Sequence, residues 1–534
     1  MAAAVRETHA HDCPSRTGID CRDSTGNQMT DGDDYSTAVL HEVTRGAGLS
    51  IGGVVLQRAF VFATNLLLTT TFGVAAYGLY ALGRRIVGML QGFAHLGSNP
   101  TLIRLLPKHD GDPDRQGRVL GTAYLTTFAT SLTLAGGLFV FAPTVQTVMN
   151  AEPSFVTVVR TFAFFVPVIA FVFQLSNLFR SLERIEYQIL VVRILRPGSQ
   201  LLAVGVAFLL TLSLLGTIAA IILALFGVVV IAAVLSVRTL TIRPALPRSL
   251  SELVEFYDFA LPNSLSRVGA LLRSRVDVLL VGALLSAQAA GIYNISLFLT
   301  GLISLPLLAI NQLFPPVASG LYSDGDIETL QATYSTATRW IVTAALCIAV
   351  YEIAFRGPLL SVFGSAYRQG ELVLVAFAVG QVVNSSVGSA GWLLLMTDHQ
   401  YIDAVNNWLL GITNIGLSYV MILEFGLIGA ALGTAGSLAL VNGLRVAELW
   451  YLEGLHPYDR AFLKPIVAAV LTGVVASQVG QFVSGVPRLL IGAGVTVGVF
   501  AGTLVVLGLE PEDRDLERAV RRFVRKRVRP DAAT

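Results

Sequence analysis

Residues 197–237 hold 41 positions in a row without one charged side chain. As a single helix this run would reach about 60 Å, twice the hydrocarbon thickness of a bilayer. Two membrane helices joined by a tight turn account for the length, and the polar break Thr211-Leu-Ser213 marks the turn. The run 278–323 repeats the pattern: it holds the end of one span, the turn Ser286-Ala-Gln288 and a whole second span. Further charge-free runs cover 119–151, 161–179, 372–397, 404–423, 425–444, 465–487 and 489–509. Two early spans near 48–71 and 76–98 carry isolated arginines, and a weaker one lies near 338–356. The expectation is an all-α polytopic membrane protein of about 14 transmembrane helices.

Composition closes the other routes. Charged residues make up 13% of the chain, about half the share of a soluble domain, so a water-soluble enzyme is excluded. A net charge of +2 is too small to point to nucleic acid as a partner. Cys13, Cys21 and Cys347 are spaced for neither a zinc site nor a redox pair, so no metal and no cofactor is expected.

The loops orient the spans. With a cytoplasmic N-terminus the inner loops are 99–118, 176–187, 237–257, 319–339, 397–402 and 444–464, which together carry thirteen Lys and Arg. Arg356, Arg368 and Arg488 fall on the outer side. This bias places both termini in the cytoplasm, in a plasma membrane. Residues 1–45 lack periodicity and a signal-peptide core and read as a disordered tail. In the tail 510–534, Arg514–Arg529 carries eight Lys and Arg on a helical repeat. That stretch reads either as an amphipathic helix on anionic lipid or as a solvated basic end.

The loop 237–257, with three arginines and two prolines, divides six spans from eight. Gly78-Leu-Tyr80 and Gly291-Ile-Tyr293 form a faint internal echo, each just after a short outer turn. Parallel repeats of this kind belong to alternating-access transporters.

Several stretches carry a resemblance. They are Tyr77-Gly-Leu-Tyr-Ala-Leu82, Leu96-Gly-Ser-Asn-Pro-Thr-Leu-Ile-Arg-Leu-Leu-Pro107, Phe259-Ala-Leu-Pro262, Val276-Asp-Val-Leu-Leu-Val-Gly282 and Ala290-Gly-Ile-Tyr-Asn294. With the span pattern, the chain over roughly 46–509 resembles the polysaccharide-biosynthesis flippases of the multidrug/oligosaccharidyl-lipid/polysaccharide exporter superfamily. The resemblance implies six-helix lobes over 46–236 and 258–455 around a central cavity, joined by the basic linker 237–257. Two extra helices then occupy 456–509. It also implies transport of a lipid-linked glycan, on a polyprenyl or dolichyl phosphate, to the outer leaflet, without enzymatic chemistry.

Ionisable residues inside a membrane cost about 2.5 kcal/mol or more each, so they mark a pathway or an internal pair. Here they are Arg58 in the first span, Arg84 and Arg85 in the second, and Arg267, Arg273, Arg275 and Asp277 in the seventh. Arginine's planar fork holds two phosphate oxygens at once, which suits an anionic headgroup. A structural reading stands beside this one. Arg273 and Asp277 have the i,i+4 spacing of an intrahelical pair, and adjacent Arg84 and Arg85 leave at most one facing a cavity squarely. Arg58 has no acidic neighbour within a turn. Asp277 is the one deep acid, so any coupling proton or sodium runs through it. Asn311, Gln312, Gln381, Asn384, Asn406, Asn407 and Asn414 read as sugar ligands or as helix-to-helix glue, and Glu352, Glu424 and Glu448 as interfacial.

The expected partners are the lipid-linked glycan, membrane lipid, a coupling ion and glycan-assembly enzymes. A drug or cation antiporter of the same superfamily is the alternative, although it favours acidic cavities. A membrane glycan polymerase or ligase is weaker still. The longest outer loop, 356–370, contains no His, and the one nearby acid is Glu371.

Overall fold

The computed structural model describes the backbone of residues 31–272, 276–482, 486–508, 510, 512 and 513. It describes their side chains except those of 31–51, 265–272, 479–482 and 486. Two units are distinguished, Met1–Leu49 and Ser50–Thr534. In the first, the chain is helical from Asp31, where the sequence reads as an aperiodic tail. The basic stretch Arg514–Arg529 lies outside the described residues.

Every regular element described in the second unit is helical, and ten helices among the described residues are long and apolar enough to cross a membrane. The fold is that of a multi-pass membrane protein. Leu202, Leu209, Leu223, Phe226 and Val506 are exposed on it, an arrangement that suits lipid and not water. The helices that frame the cavities are α1 (Gly52–Gln91), α2 (Ser98–Lys108), α3 (Pro113–Val140), α4 (Ser154–Ser181) and α5 (Ile185–Leu209). After them come α6 (Leu214–Thr239), α7 (Leu250–Leu272), α8 (Asp277–Leu284), α9 (Ala287–Thr300) and α10 (Ile327–Ala354). The series ends with α11 (Glu371–Ser386), α12 (Ala390–Met396), α13 (Gln400–Glu453), α14 (Leu463–Phe482) and α15 (Val486–Leu507).

Two of these helices fold back on themselves at glycine. α1 breaks at Gly73, whose φ of 72° and ψ of 179° are open to glycine and costly for other residues. Tyr77 then reaches back to Asn65, twelve residues earlier, which a straight helix would hold about 18 Å away. α13 breaks at Gly426 (φ 60°, ψ −134°), after which Gly433 packs onto the backbone of Ser418. Each therefore supplies two of the expected spans.

Both turns marked in the sequence are where the polar residues put them. Ser213 caps α6 by accepting from the Gly216 N–H at 3.2 Å. Ser286 caps α9 by accepting from the Ala289 N–H at 3.0 Å. The basic segment before α7 is strapped onto α3. The Ala245 N–H donates to the Gly117 carbonyl at 2.9 Å, and a β-carbon on Gly121 would stand 1.9 Å from the Ala245 oxygen. At its end, Glu255 binds Lys108 (2.6 Å) and Arg115 (3.0 Å), while Glu252 binds Arg118 (2.8 Å). At the far end of the chain α14 and α15 pack on each other and on α10. Buried Arg339 of α10 holds Asp513 at 3.0 Å.

Candidate substrate cavity

The fold of α1 decides where its arginines meet. The break at Gly73 turns the second arm back along the first, so Arg58 and the pair Arg84 and Arg85 line one cavity of about 470 Å³. Asn294, Leu297 and Phe298 of α9, with Gly301 and Ser304 after it, supply another wall, and Pro197 and Gln200 of α5 also line it.

Both members of the adjacent pair line this space. Neighbours on a helix are turned by about 100°, an arc that two long side chains bridge. Arg84 lays its guanidinium over the Phe165 ring, 4.6 Å from the centroid. Arg85 donates to Asn294 Oδ1 at 3.5 Å. Arg58 Nη1 lies 3.5 Å from where a β-carbon on Gly301 would stand, so glycine leaves it room.

A polar relay backs the cavity. The Asn294 amide donates to the Tyr77 hydroxyl at 2.8 Å, and that hydroxyl donates to Asn65 Oδ1 at 2.9 Å. Tyr77 and Asn294 come from two of the motifs noted above, although the sequence alone did not single them out as site residues. Their apolar neighbours hid them, and the available signal was their place beside the two segments of the internal echo.

Arg193 and Arg196 were also missed. They border a charge-free run and read as the start of a span, yet α5 begins at Ile185 and contains both. Leu190–Leu195 is a wide π turn directly before Pro197. Proline lacks the N–H of a regular helix and crowds the preceding turn, and a π turn is one way to absorb this. Arg196 comes to rest over the Phe173 ring at 5.2 Å.

Asp277 does not line the arginine cavity. It is fully buried beside a second cavity of about 270 Å³, shared with Ser304, Gln381, Asn384, Asn414 and Thr434. Its Oδ2 accepts from the Tyr293 hydroxyl at 2.7 Å and from Thr434 Oγ1 at 3.1 Å, and its Oδ1 from the Val278 N–H at 3.0 Å. Asn414 donates in turn to Thr434 Oγ1 at 3.1 Å. Its expected helical partner, Arg273, lies outside the described residues, as does Arg275, and Arg267 has a described backbone only.

Among the weaker polar candidates, Asn406 donates to Glu448, while Asn311, Asn384 and Asn407 line a third cavity. Glu352, expected at an interface, is buried, with neither carboxylate oxygen hydrogen-bonded among the described residues.

A family model described as "Polysaccharide biosynthesis protein" matches residues 43–320. The chain is 27% identical over 262 residues to the uncharacterized membrane protein EpsK of Bacillus subtilis, covering 46% of this chain and 50% of that one. It is 24% identical over 254 residues to the probable low-salt glycan biosynthesis flippase Agl15 of Haloferax volcanii, covering 47% and 52%. The chain thus spans about half the length of the curated relatives it matches. Its fold superimposes on the lipid II flippase MurJ, in an inward closed conformation, with a TM-score of 0.70 and 13% identity. That match covers 88% of this chain and 99% of the other.

Proposed function

The chain belongs to the polysaccharide biosynthesis protein family, and on that premise we propose that it is a flippase. In this reading it carries a lipid-linked glycan from the cytoplasmic to the outer leaflet of the plasma membrane by alternating access, and it is a transporter without catalytic chemistry. The observation that carries it is the convergence of Arg58, Arg84 and Arg85 on one cavity whose wall also includes α9. Three permanent charges held together inside a membrane protein repel one another, so their shared environment favours an anion between them. A phosphate or pyrophosphate headgroup supplies several oxygens for guanidinium forks, while the polyprenyl tail stays in lipid.

Residues 46–236 and 258–455 act as the two rocking lobes, 456–509 as peripheral helices, and both termini lie in the cytoplasm. In this reading the seventh-span arginines Arg267, Arg273 and Arg275 also serve as ligands of the anionic headgroup. Asp277, buried among neutral donors, is the group through which a proton or sodium gradient drives the cycle. Protonation or cation binding there changes the charge of a site that Ser304 joins to the arginine cavity.

Proteoliposomes carrying a fluorescent, short-chain polyprenyl-pyrophosphate sugar test this reading. The protein should carry the label across the bilayer, and Arg58→Ala combined with Arg85→Ala should slow it by at least tenfold. Transport of an organic cation with no effect on the glycolipid would overturn the proposal in favour of an antiporter.

A further inference from the structure

We propose that the third cavity, framed by α11, α12 and α13, is a pyranose-binding subsite that reads the glycan while the arginines hold the phosphate. This inference rests on the flippase reading above and deepens it.

The cavity encloses about 520 Å³, within the roughly 300–1,000 Å³ range of small-molecule sites. Its chemistry differs from that of the arginine cavity. Asp403 and Arg445 pair at 3.2 Å, so their charges cancel, and the other polar lining groups are amides and a hydroxyl. They form one preorganised network. Arg445 donates to Asn407 Oδ1 at 2.9 Å and to Asn442 Oδ1 at 3.3 Å. Asn442 donates to Asn384 Oδ1 at 2.9 Å, and Asn407 to Asp403 Oδ2 at 2.8 Å. A carboxylate accepts about four hydrogen bonds and Asp403 receives two in this network, which leaves capacity for hydroxyl donors. A neutral cluster of paired donors and acceptors matches the vicinal hydroxyls of a sugar ring and offers no net attraction to phosphate.

Trp392 lines the same cavity and is 42% exposed, so its flat apolar face is available to the C–H face of a pyranose. Glycine shapes the opening. Gly388 takes a φ of 57°, and a β-carbon on it would meet Thr338 Oγ1 at 2.1 Å. The chain therefore breaks here between α11 and α12, and Ser389 turns to donate to Asn311 Oδ1 at 2.6 Å.

The position suits the role. The arginine cavity and the Asp277 cavity share Ser304, and the Asp277 cavity shares Asn384 and Leu410 with this one. The three cavities are thus neighbours in a row, from the phosphate end to the amide cavity. One substrate extends along it, with its pyrophosphate at Arg58 and its sugars toward Trp392.

Interhelical glue is the competing account of such a network, and the test separates the two. Full-length protein in nanodiscs is titrated with farnesyl pyrophosphate and with farnesyl pyrophosphate carrying one glucose, galactose or N-acetylglucosamine. Wild type should bind at least one sugar-bearing probe about tenfold more tightly than the bare one. Trp392→Ala and Asn407→Ala should each bring that ratio to within twofold of unity with bare-probe affinity unchanged, and Trp392→Phe should retain most of it. The subsite is overturned if wild type shows no preference for any of the three sugars, or if the preference survives both substitutions. It is equally overturned if both variants weaken all probes alike, the result expected of glue. Loss of bare-probe binding in Arg58→Ala keeps the flippase reading standing in each of those cases. A wild type that binds no probe overturns both.

Discussion

A β-carbon on Gly291 would stand 3.2 Å from the α-carbon of Gly78 and 2.7 Å from the Val74 carbonyl oxygen. The two glycines of the internal echo therefore touch, bringing the turn of α1 against the start of α9. A β-carbon on Gly78 would itself overlap the Ala287 oxygen at 1.8 Å, so the contact is backbone on backbone and leaves no room for side chains.

Gly291→Val should hold these two turns apart and open the cavity on that side. The check uses Ser304→Cys in a background without Cys13, Cys21 and Cys347, labelled by a membrane-impermeant maleimide. Labelling from the side of the turns should be several-fold faster in the presence of Gly291→Val, and unchanged rates would show that this contact does not close the cavity.

Tyr77→Phe should cost about 0.5–1.5 kcal/mol, because the half-buried amides of Asn65 and Asn294 lose the hydroxyl between them. The loss also frees Asn294 to turn from Arg85, so flipping should slow by more than the stability change explains. Thermal unfolding and the flipping rate, measured on the same preparation, check this. A variant with lowered Tm and wild-type flipping contradicts it.

Asp277→Asn removes the charge and leaves an amide oxygen for Tyr293 and Thr434 to bond. Flipping should become insensitive to an imposed proton or sodium gradient, while bare farnesyl pyrophosphate binds as before. A variant that still accelerates under the gradient rules out Asp277 as the coupling group.

The strap before α7 should be sensitive to acid. The hydrogen bond from Lys108, aided by Arg115, holds the Glu255 carboxyl below its usual range. The Arg248 backbone N–H, followed by Arg118, does the same for Glu252. Groups depressed in the folded state stabilise it above the ordinary carboxylate pKa, and that contribution is lost as pH falls from about 4 toward the depressed values. Protection factors against hydrogen exchange over 240–248, taken relative to the unstructured peptide at each pH, should therefore fall below about pH 4, with a smaller pH effect in Glu255→Gln. Protection that is flat with pH would show that the ion pairs do not hold the strap.

Much of the fold was legible because bilayer physics is one-dimensional. The length of two charge-free runs required a turn inside each, and the polar breaks at Ser213 and Ser286 marked where it falls, since a membrane helix spans a length that can be counted along the chain. Two spans share one glycine-broken helix at Gly73 and again at Gly426; the charge of Glu424 marks the second break, whereas no charge or proline marks the first. Arg193 and Arg196 escaped notice for the converse reason. A charge near a run's border reads as an interface, whereas the π turn before Pro197 carries both inside a helix.

The sequence by itself determined that the chain crosses the membrane many times and that its internal charges are mainly arginine. Both follow from the cost of charge in lipid, which each residue bears wherever the helices sit. Only the tertiary structure decided which polar groups share a cavity. Arg58 meets Arg84 and Arg85 because Gly73 folds α1 back on itself, and Asp277 turns away from them to Tyr293 and Thr434. The direction of a break and the packing of helices far apart in the chain leave no periodic trace, so those partners were visible only in three dimensions.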